Sequence, residues 1–377
     1  MVRSLVRIAF AGVALVLIDT AFAQITSATV TGGRMVGVVS EGIASYKGIP
    51  FAAPPVGDLR WKSPQPVRAW RGTRKADTYG PSCMQDSNFA KLFGAPPAIS
   101  EDCLYLNVWT AAKSRDEKLP VMVWIYGGGF VGGMTSIPAY DGTHLAQQGV
   151  IFVSIGYRLG VFGFLAHPDL TQETGKGSGN YGLLDQIAGL KWVKANIAAF
   201  GGDPARVTVF GESAGGISVS LLAASPRAKG LFHGVISESG GSFGPPRMGN
   251  EGGESVPPMK LAEISGKAFL DKLGAHDIKA ARALDAAVIQ KALGPGLQGG
   301  FFPVVDGDVL PGDLYVRYSH RQFNDTNVLI GTNSDEGGIF TFTARFEPWL
   351  RNRVCVPQPG RPGWRPRGNT AAADSRG

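Results

Sequence analysis

The stretch VTVFGESAGGISVSLLAA (207–224) decides the fold. Its first part is a run of β-forming residues, and the part that follows the serine consists of small and apolar residues that a helix accepts. Between them, GESAG (211–215) has the form G-x-S-x-G, which in a strand–turn–helix context exposes its serine as a nucleophile. The sequence therefore predicts that Ser213 is a nucleophile at the start of a helix, where the helix dipole favours developing negative charge.

The same five-residue pattern occurs a second time, as GGSFG (240–244). A match of this length arises easily by chance in a glycine-rich chain, so the context has to decide between the two. The residues after Ser242 are GPPRMGN, which cannot continue as a helix. We therefore expect Ser213 to be the functional serine and Ser242 to be a coincidental match.

Outward from this stretch, apolar runs of strand length alternate with helical patterns. Three of the runs are nearly continuous, as expected of strands covered on both faces: LNVWTA (106–111), VMVWIYG (121–127) and VIFVSIGY (150–157). Further strands are predicted at 206–210, 234–239 and 328–332, and helices at 183–197 (amphipathic), 214–224, 260–273 and 279–292. This alternation predicts an α/β fold with a central, mostly parallel sheet flanked by helices.

A second glycine-rich segment, WIYGGGF (124–130), follows one of these strands directly. Acyl transfer needs backbone N–H donors for the tetrahedral oxyanion, one from the residue after the nucleophile and others from an earlier loop. Three glycines in a row could also be a plain flexible turn. With a matched strand–turn–helix serine in the same chain, we predict an oxyanion hole formed by Gly128, Gly129 and Ala214.

Six blocks, in this order, resemble the type-B carboxylesterases, the cholinesterase-like branch of the α/β-hydrolases. They are YKGIPFAAPPVGDLRWKSPQP (46–66), EDCLYLNVW (101–109), WIYGGGF (124–130), NYGLLDQIAGLKWVKANIAAFGGDP (180–204), VTVFGESAGG (207–216) and GTNSDEGGIF (331–340). The resemblance implies an α/β-hydrolase fold over about residues 24–345. It also implies hydrolysis of a small-molecule ester through an acyl-enzyme on the serine.

The resemblance also assigns residues around the nucleophile. It implies that Cys83 and Cys103 form a disulfide and that Glu336 is the acid of the catalytic triad, with the adjacent Asp335 as a rival. It places Glu212 and Ser239 close to the nucleophile. Glu212 could instead be a favourable charge at a helix start, and Ser239 could simply end a strand.

The chain departs from the family at the histidine that acts as the base of the triad. In this fold the partners occur in the order serine, acid, histidine. The histidines are His144, His167, His233, His276 and His320, and all of them precede Glu336. No sequence feature places His233 or His320 beside the serine, so we expect impaired turnover. Because the chain ends soon after the strand that precedes Glu336, we also expect an exposed sheet edge and a fold without its C-terminal part. A non-catalytic, adhesion-type member of the same fold, or a decayed gene product, is the alternative.

Charge and composition exclude other classes of function. The formal net charge is +7, but residues 351–377 carry +5 of it and residues 1–23 carry +1, so the body of the chain is close to neutral and no nucleic-acid partner is expected. The three cysteines match no zinc spacing, and we expect neither a metal nor a cofactor. The oligomeric state is left open.

The two ends of the chain differ in amino-acid composition from the rest. Residues 1–23 combine a basic start, an apolar run and Ala21-Phe22-Ala23, which predicts a signal peptide cleaved near Ala23 and a secreted or periplasmic protein. The apolar run is too short to span a bilayer comfortably, so no stable membrane insertion is expected. Residues 346–377 are rich in Arg and Pro and poor in aliphatic side chains, which predicts a disordered tail.

Overall fold

The computed structural model describes residues 24–87, 91, 98–241, 256–294 and 301–336. The predicted signal peptide, Ser242 and the predicted C-terminal tail lie outside these ranges.

Strands and helices alternate along the described chain. The strands are β1 (Ser27–Val30), β2 (Gly33–Val36), β3 (Val38–Ser40), β4 (Ile43–Pro50), β5 (Thr73–Lys75), β6 (Ser82–Cys83), β7 (Ile99–Ser100), β8 (Tyr105–Thr110), β9 (Leu119–Ile125), β10 (Ile151–Ile155), β11 (Gly202–Glu212), β12 (Gly234–Glu238) and β13 (Asn327–Gly331). The helices are α1 (Thr143–Gln147), α2 (Gly160–Phe164), α3 (Pro168–Thr174), α4 (Tyr181–Asn196), α5 (Ala214–Ala224), α6 (Met259–Lys272), α7 (Ile278–Ala283), α8 (Ala286–Ala292) and α9 (Leu314–Ser319).

A sheet of eight strands forms the centre of the fold, in the order β13-β12-β11-β9-β10-β8-β4-β3. The five strands from β13 to β10 are parallel to one another, and the last three join by antiparallel pairing. The predicted α/β architecture with a mostly parallel sheet is therefore confirmed. Two small sheets, β1-β2-β5 and β6-β7, lie apart from it.

Helix α4 is more deeply buried than its pattern predicts. An amphipathic helix was expected at 183–197, but only Lys191, Lys194 and Ala195 of α4 are exposed. The helix packs against α2, α5 and β11 rather than against the sheet alone. Across the contact with α5, the Gln186 side-chain amide donates to Ser218 Oγ at 3.1 Å. The helix is contacted on several sides, whereas a single apolar stripe in the sequence predicts burial of one face only.

The single helix predicted at 279–292 is wrong, because the structure has two helices there. The first helix ends at Ala283, and Asp285 caps the second, accepting a hydrogen bond from the Ala287 N–H at 2.7 Å. Arg60, from a distant part of the chain, donates to the carbonyls of Ala281 and Leu284 at 3.1 and 2.8 Å and so satisfies the end of α7. The break thus depends on a long-range partner as well as on a local cap.

Strand β13 forms one edge of the described sheet. Its Val328, Leu329 and Ile330 are 58%, 61% and 51% exposed, so this edge is apolar and exposed within the described part of the chain. Across the described residues, no helix has both the length and the apolar character that crossing a bilayer requires.

Candidate active site

The candidate site residues lie where four neighbouring parallel strands end. The carboxyl ends of β9, β11, β12 and β13 share one edge of the sheet, because these strands pair in parallel register. The glycine-rich segment follows β9, Ser213 follows β11, Ser239 follows β12 and Glu336 lies shortly after β13. Ligands of open α/β sheets bind at this edge, so the topology collects residues that are far apart in sequence.

Ser213 occupies a strained turn between β11 and α5. Its φ and ψ are 55° and −123°, a conformation that costs a non-glycine residue about 1–3 kcal/mol. Its N–H donates to the Glu238 carbonyl at 2.9 Å, and its own carbonyl accepts from the Ile217 N–H at 2.9 Å. Hydrogen bonds on both sides hold the residue in this conformation, which is the strand–turn–helix geometry predicted for the motif.

Gly215 allows the helix to approach the sheet this closely. A Cβ added to Gly215 would overlap the Ile125 carbonyl oxygen at the end of β9. The side chain must therefore be hydrogen, since a backbone carbonyl at the sheet centre cannot move aside. As the first residue of α5, Ala214 has an N–H with no partner inside the helix, which leaves it available at the serine.

The segment 127–133, which we call the glycine loop, lies directly against Ser213. An added Cβ on Gly127 would lie 3.1 Å from Ser213 Cβ. Gly128 and Gly129 have φ of 106° and 63°, in the region that favours glycine. The Gly128 carbonyl accepts from the Val131 and Gly132 N–H groups at 3.2 and 3.1 Å, closing a compact turn beside the serine.

Glu336 and Ser239 meet on the far side of the nucleophile. Ser239 Oγ donates to Glu336 Oε2 at 3.0 Å, and the Asn333 N–H donates to the same oxygen at 2.7 Å. The hydrogen bond from the Asn333 N–H, followed by that from Ser239, lowers the pKa of Glu336 below its usual range. The structure thus places Glu336 in a contact with Ser239.

Glu212 lies between the glycine loop and two other carboxylates. Its Oε2 lies 3.0 Å from the position of an added Cβ on Gly127. Partial desolvation raises the pKa of Glu212, and the negative charges of Glu336 and Glu238 raise it further. Glu212 therefore lies beside the glycine loop, within electrostatic reach of two other carboxylates.

Replacing Glu212 with glutamine is expected to raise the melting temperature at pH 7. A carboxyl whose pKa is raised on folding costs stability wherever it is ionised, which is at pH values above its unfolded pKa of about 4.3. Glutamine removes that cost, so the difference from wild type should be largest near neutral pH and should shrink as the pH falls toward that value. Thermal melts at pH 4.5, 5.5 and 7 measure this, and a melting temperature that is lower at pH 7 would contradict the electrostatic account.

The family model of the carboxylesterase family matches residues 19–348. The chain belongs to the carboxylesterase family. Among curated carboxylesterase relatives, the chain is 43% identical over 319 residues to a fumonisin B1 esterase of Sphingopyxis macrogoltabida and 44% identical over 313 residues to a para-nitrobenzyl esterase of Bacillus subtilis. It is also 38% identical over 330 residues to an acetylcholinesterase of Bungarus fasciatus.

The chain spans little more than half the length of these carboxylesterase relatives. The three alignments each cover 82% of this chain but 56%, 62% and 52% of the relatives, respectively. Solved structures give the same result: a para-nitrobenzyl esterase matches with a TM-score of 0.75 at 40% identity, covering 84% of this chain and 64% of that one. A Geobacillus stearothermophilus carboxylesterase matches with a TM-score of 0.73 at 38% identity, covering 87% and 66%.

The two histidines nearest in sequence to the site elements make contacts elsewhere in the fold. His233 Nδ1 accepts from the Val207 N–H at 3.3 Å, near the amino end of the parallel strands. Val207 is separated from the Ser213 end of β11 by roughly 16 Å, at about 3.3 Å per residue. His320 ends α9, where its N–H donates to the Val316 carbonyl at 3.0 Å.

The other three histidines serve local roles or lie at the surface. His167 is buried at the start of α3, where its Nδ1 accepts from the Asp169 N–H at 3.2 Å. His144 is exposed on α1 with its Nδ1 3.3 Å from Gln147 Oε1, and His276 is exposed in the turn before α7.

Two contributors to the site were missed by the sequence reasoning. Asn333 holds Glu336 through its N–H, and its side-chain amide also reaches Ser239 Oγ at 3.4 Å. Gly240 packs so closely on the Ser213 carbonyl that an added Cβ would overlap it. The position of Asn333 in a turn just before the acid could have indicated its role from sequence. The contact of Gly240 depends on the pairing of β11 with β12, and no local sequence pattern predicts it.

A disulfide joins Cys83 to Cys103, as the resemblance implied. Its Cα atoms are 5.0 Å apart, and both cysteines are buried. The bridge ties β6 to the segment that leads into β8.

Proposed function

We propose that this chain is a serine carboxylic ester hydrolase whose nucleophile is Ser213. The observation that carries the proposal is the strained, hydrogen-bonded conformation of Ser213 directly against the glycine loop. A strained residue at a cleft-forming sheet edge is retained when its geometry serves a reaction. A purely structural serine would have no need of it.

In the proposed reaction, Ser213 Oγ attacks the ester carbonyl carbon and loses its proton to a base. The carbonyl oxygen becomes an oxyanion, held by the N–H groups of Gly128, Gly129 and Ala214. The C–O bond to the alcohol then breaks, the alcohol leaves with a proton, and the acyl group remains on the serine. Water hydrolyses this acyl-enzyme by the same steps and regenerates Ser213.

Glu336 is proposed as the acid that orients the base, with Ser239 and Asn333 keeping it ionised and in place. Its lowered pKa supports this role, because an orienting carboxylate must carry its charge at neutral pH. We further propose that the 377-residue chain turns over slowly. The contact of His233 with Val207 and the position of His320 at the end of α9 support this, because a general base needs to lie within hydrogen-bond reach of Ser213.

Adding imidazole to the purified chain tests both parts of this proposal. A positioned base contributes about 10²–10⁴-fold, and free imidazole lacks the positioning, so we expect it to raise the protein-dependent hydrolysis of p-nitrophenyl acetate by about tenfold. The rate with imidazole alone is subtracted.

The other outcomes of this assay are equally informative. Fast hydrolysis that imidazole does not change would mean that the chain supplies its own base, and the slow-turnover proposal would be wrong. No hydrolysis under either condition would favour the non-catalytic, adhesion-type alternative. A Ser242→Ala variant should behave as wild type in every arm.

A further inference from the structure

Gln85 makes an unusual set of buried contacts outside the residues discussed so far. The residue is 3% exposed. Its Oε1 accepts from the Gly133 N–H at 3.0 Å, and its Nε2 donates to the Gly133 carbonyl at 2.8 Å. One side-chain amide thus pairs with both backbone groups of one residue, as a neighbouring strand would.

Gly133 ends the glycine loop and is tightly coupled to its start. Its φ is 121°, and an added Cβ would lie 2.6 Å from the Gly127 carbonyl oxygen and 2.5 Å from the Tyr126 ring. Gly127 in turn lies against Ser213. Because these atoms are already in close contact, a shift of Gly133 has to move Gly127 or open a gap beside the serine.

Gln85 is itself anchored to the sheet. Its Nε2 also donates to the Cys83 carbonyl at 3.1 Å, and Cys83 is joined by the disulfide to Cys103. Two residues after Cys103, β8 begins. The amide is therefore held in a fixed position relative to the central sheet. In the glycine loop, five of the seven residues are glycines, and Phe130 supplies the buried side chain.

We propose that Gln85 is a positioning residue for the oxyanion hole: its amide clamps Gly133 and so fixes the N–H groups of the glycine loop opposite Ser213. This inference rests on the proposed esterase function for its catalytic consequence. The ordering of the loop by Gln85 is a separate physical statement and can be measured without any reaction.

Hydrogen exchange followed by mass spectrometry measures the ordering. The test variant is Gln85→Met, which keeps the side-chain length but has no strong donor or acceptor, and the matched control is Gln172→Met on the exposed face of α3. We expect faster exchange in peptides covering 127–133 in the test variant only, with peptides from α4 unchanged. Unchanged loop exchange, or equally faster exchange in α4, would overturn the proposal.

Hydrolysis of p-nitrophenyl acetate in the presence of imidazole measures the catalytic consequence. Misplacement of oxyanion donors affects the transition state more than substrate binding, so we expect Gln85→Met to lower kcat about 10- to 100-fold with KM within about twofold. A loop that exchanges faster while kcat is unchanged would overturn the positioning role. If wild type shows no hydrolysis at all, the proposed function fails, and the exchange experiment alone still decides whether Gln85 orders the loop.

Discussion

The Ser213→Ala variant is expected to lose all of the imidazole-stimulated hydrolysis of p-nitrophenyl acetate. Removing Oγ removes the atom that forms the acyl-enzyme, so added base has nothing to activate. The oxyanion hole and binding alone leave about 10³–10⁴-fold over water in enzymes of this kind, so the variant can keep a slow rate that imidazole does not change. Alanine keeps the Cβ that strains this position, so the variant should fold as wild type does.

Two comparisons make the Ser213 result specific. Circular dichroism and the melting temperature should match wild type, which would separate loss of the nucleophile from loss of the fold. A variant that keeps its imidazole-stimulated rate would show that another group reacts with the ester.

The second large effect is expected at Asp185, where replacement by asparagine should lower the free energy of unfolding by about 3–5 kcal/mol. Asp185 is fully buried on α4 and accepts hydrogen bonds from Arg158 Nε and Nη2, both at 2.8 Å, and from the Arg158 N–H at 3.0 Å. Asparagine would leave the buried guanidinium charge uncompensated and would turn an N–H₂ group toward its donors. Urea denaturation of both proteins gives the difference.

An exposed ion pair provides the matched control for Asp185. Lys267 and Asp271 are 3.0 Å apart on α6, with 59% and 48% of their side chains exposed. Asp271→Asn should change the stability by less than about 1 kcal/mol, because solvent screens such pairs. An Asp185→Asn variant no less stable than this control would contradict the account of the buried pair.

The ion pair between Arg158 and Asp185 also supports the glycine loop. Two residues after Arg158, the Gly160 N–H donates to the Phe130 carbonyl in the glycine loop at 2.7 Å. The buried pair therefore fixes the chain on which one side of the glycine loop rests. Loss of the pair should disturb the site as well as the stability.

The parts of this fold that sequence predicts are those with a local physical cause. The Ser213 turn needs only a β-forming run, two glycines and a helix-forming run, all within eighteen residues, and the apolar strands follow from burial on both faces. The parts that sequence does not predict depend on distant partners. The break between α7 and α8 involves Arg60, and the contact of Gly240 with Ser213 exists only because β11 and β12 pair. The pairing of the Gln85 amide with Gly133 likewise joins two segments that share no sequence pattern.

The most direct test of the central claim is to locate the adduct formed by a fluorophosphonate with imidazole present as the base. The reagent phosphonylates an activated serine and displaces fluoride. After trypsin digestion, Ser213 lies in the fragment 207–227, whereas Ser239 and Ser242 lie in the fragment 230–247. Our account predicts one phosphonyl group per chain, on Ser213, and none on the Ser213→Ala variant. An adduct in the second fragment, or none after prolonged incubation of folded protein, would contradict the assignment of Ser213 as the nucleophile.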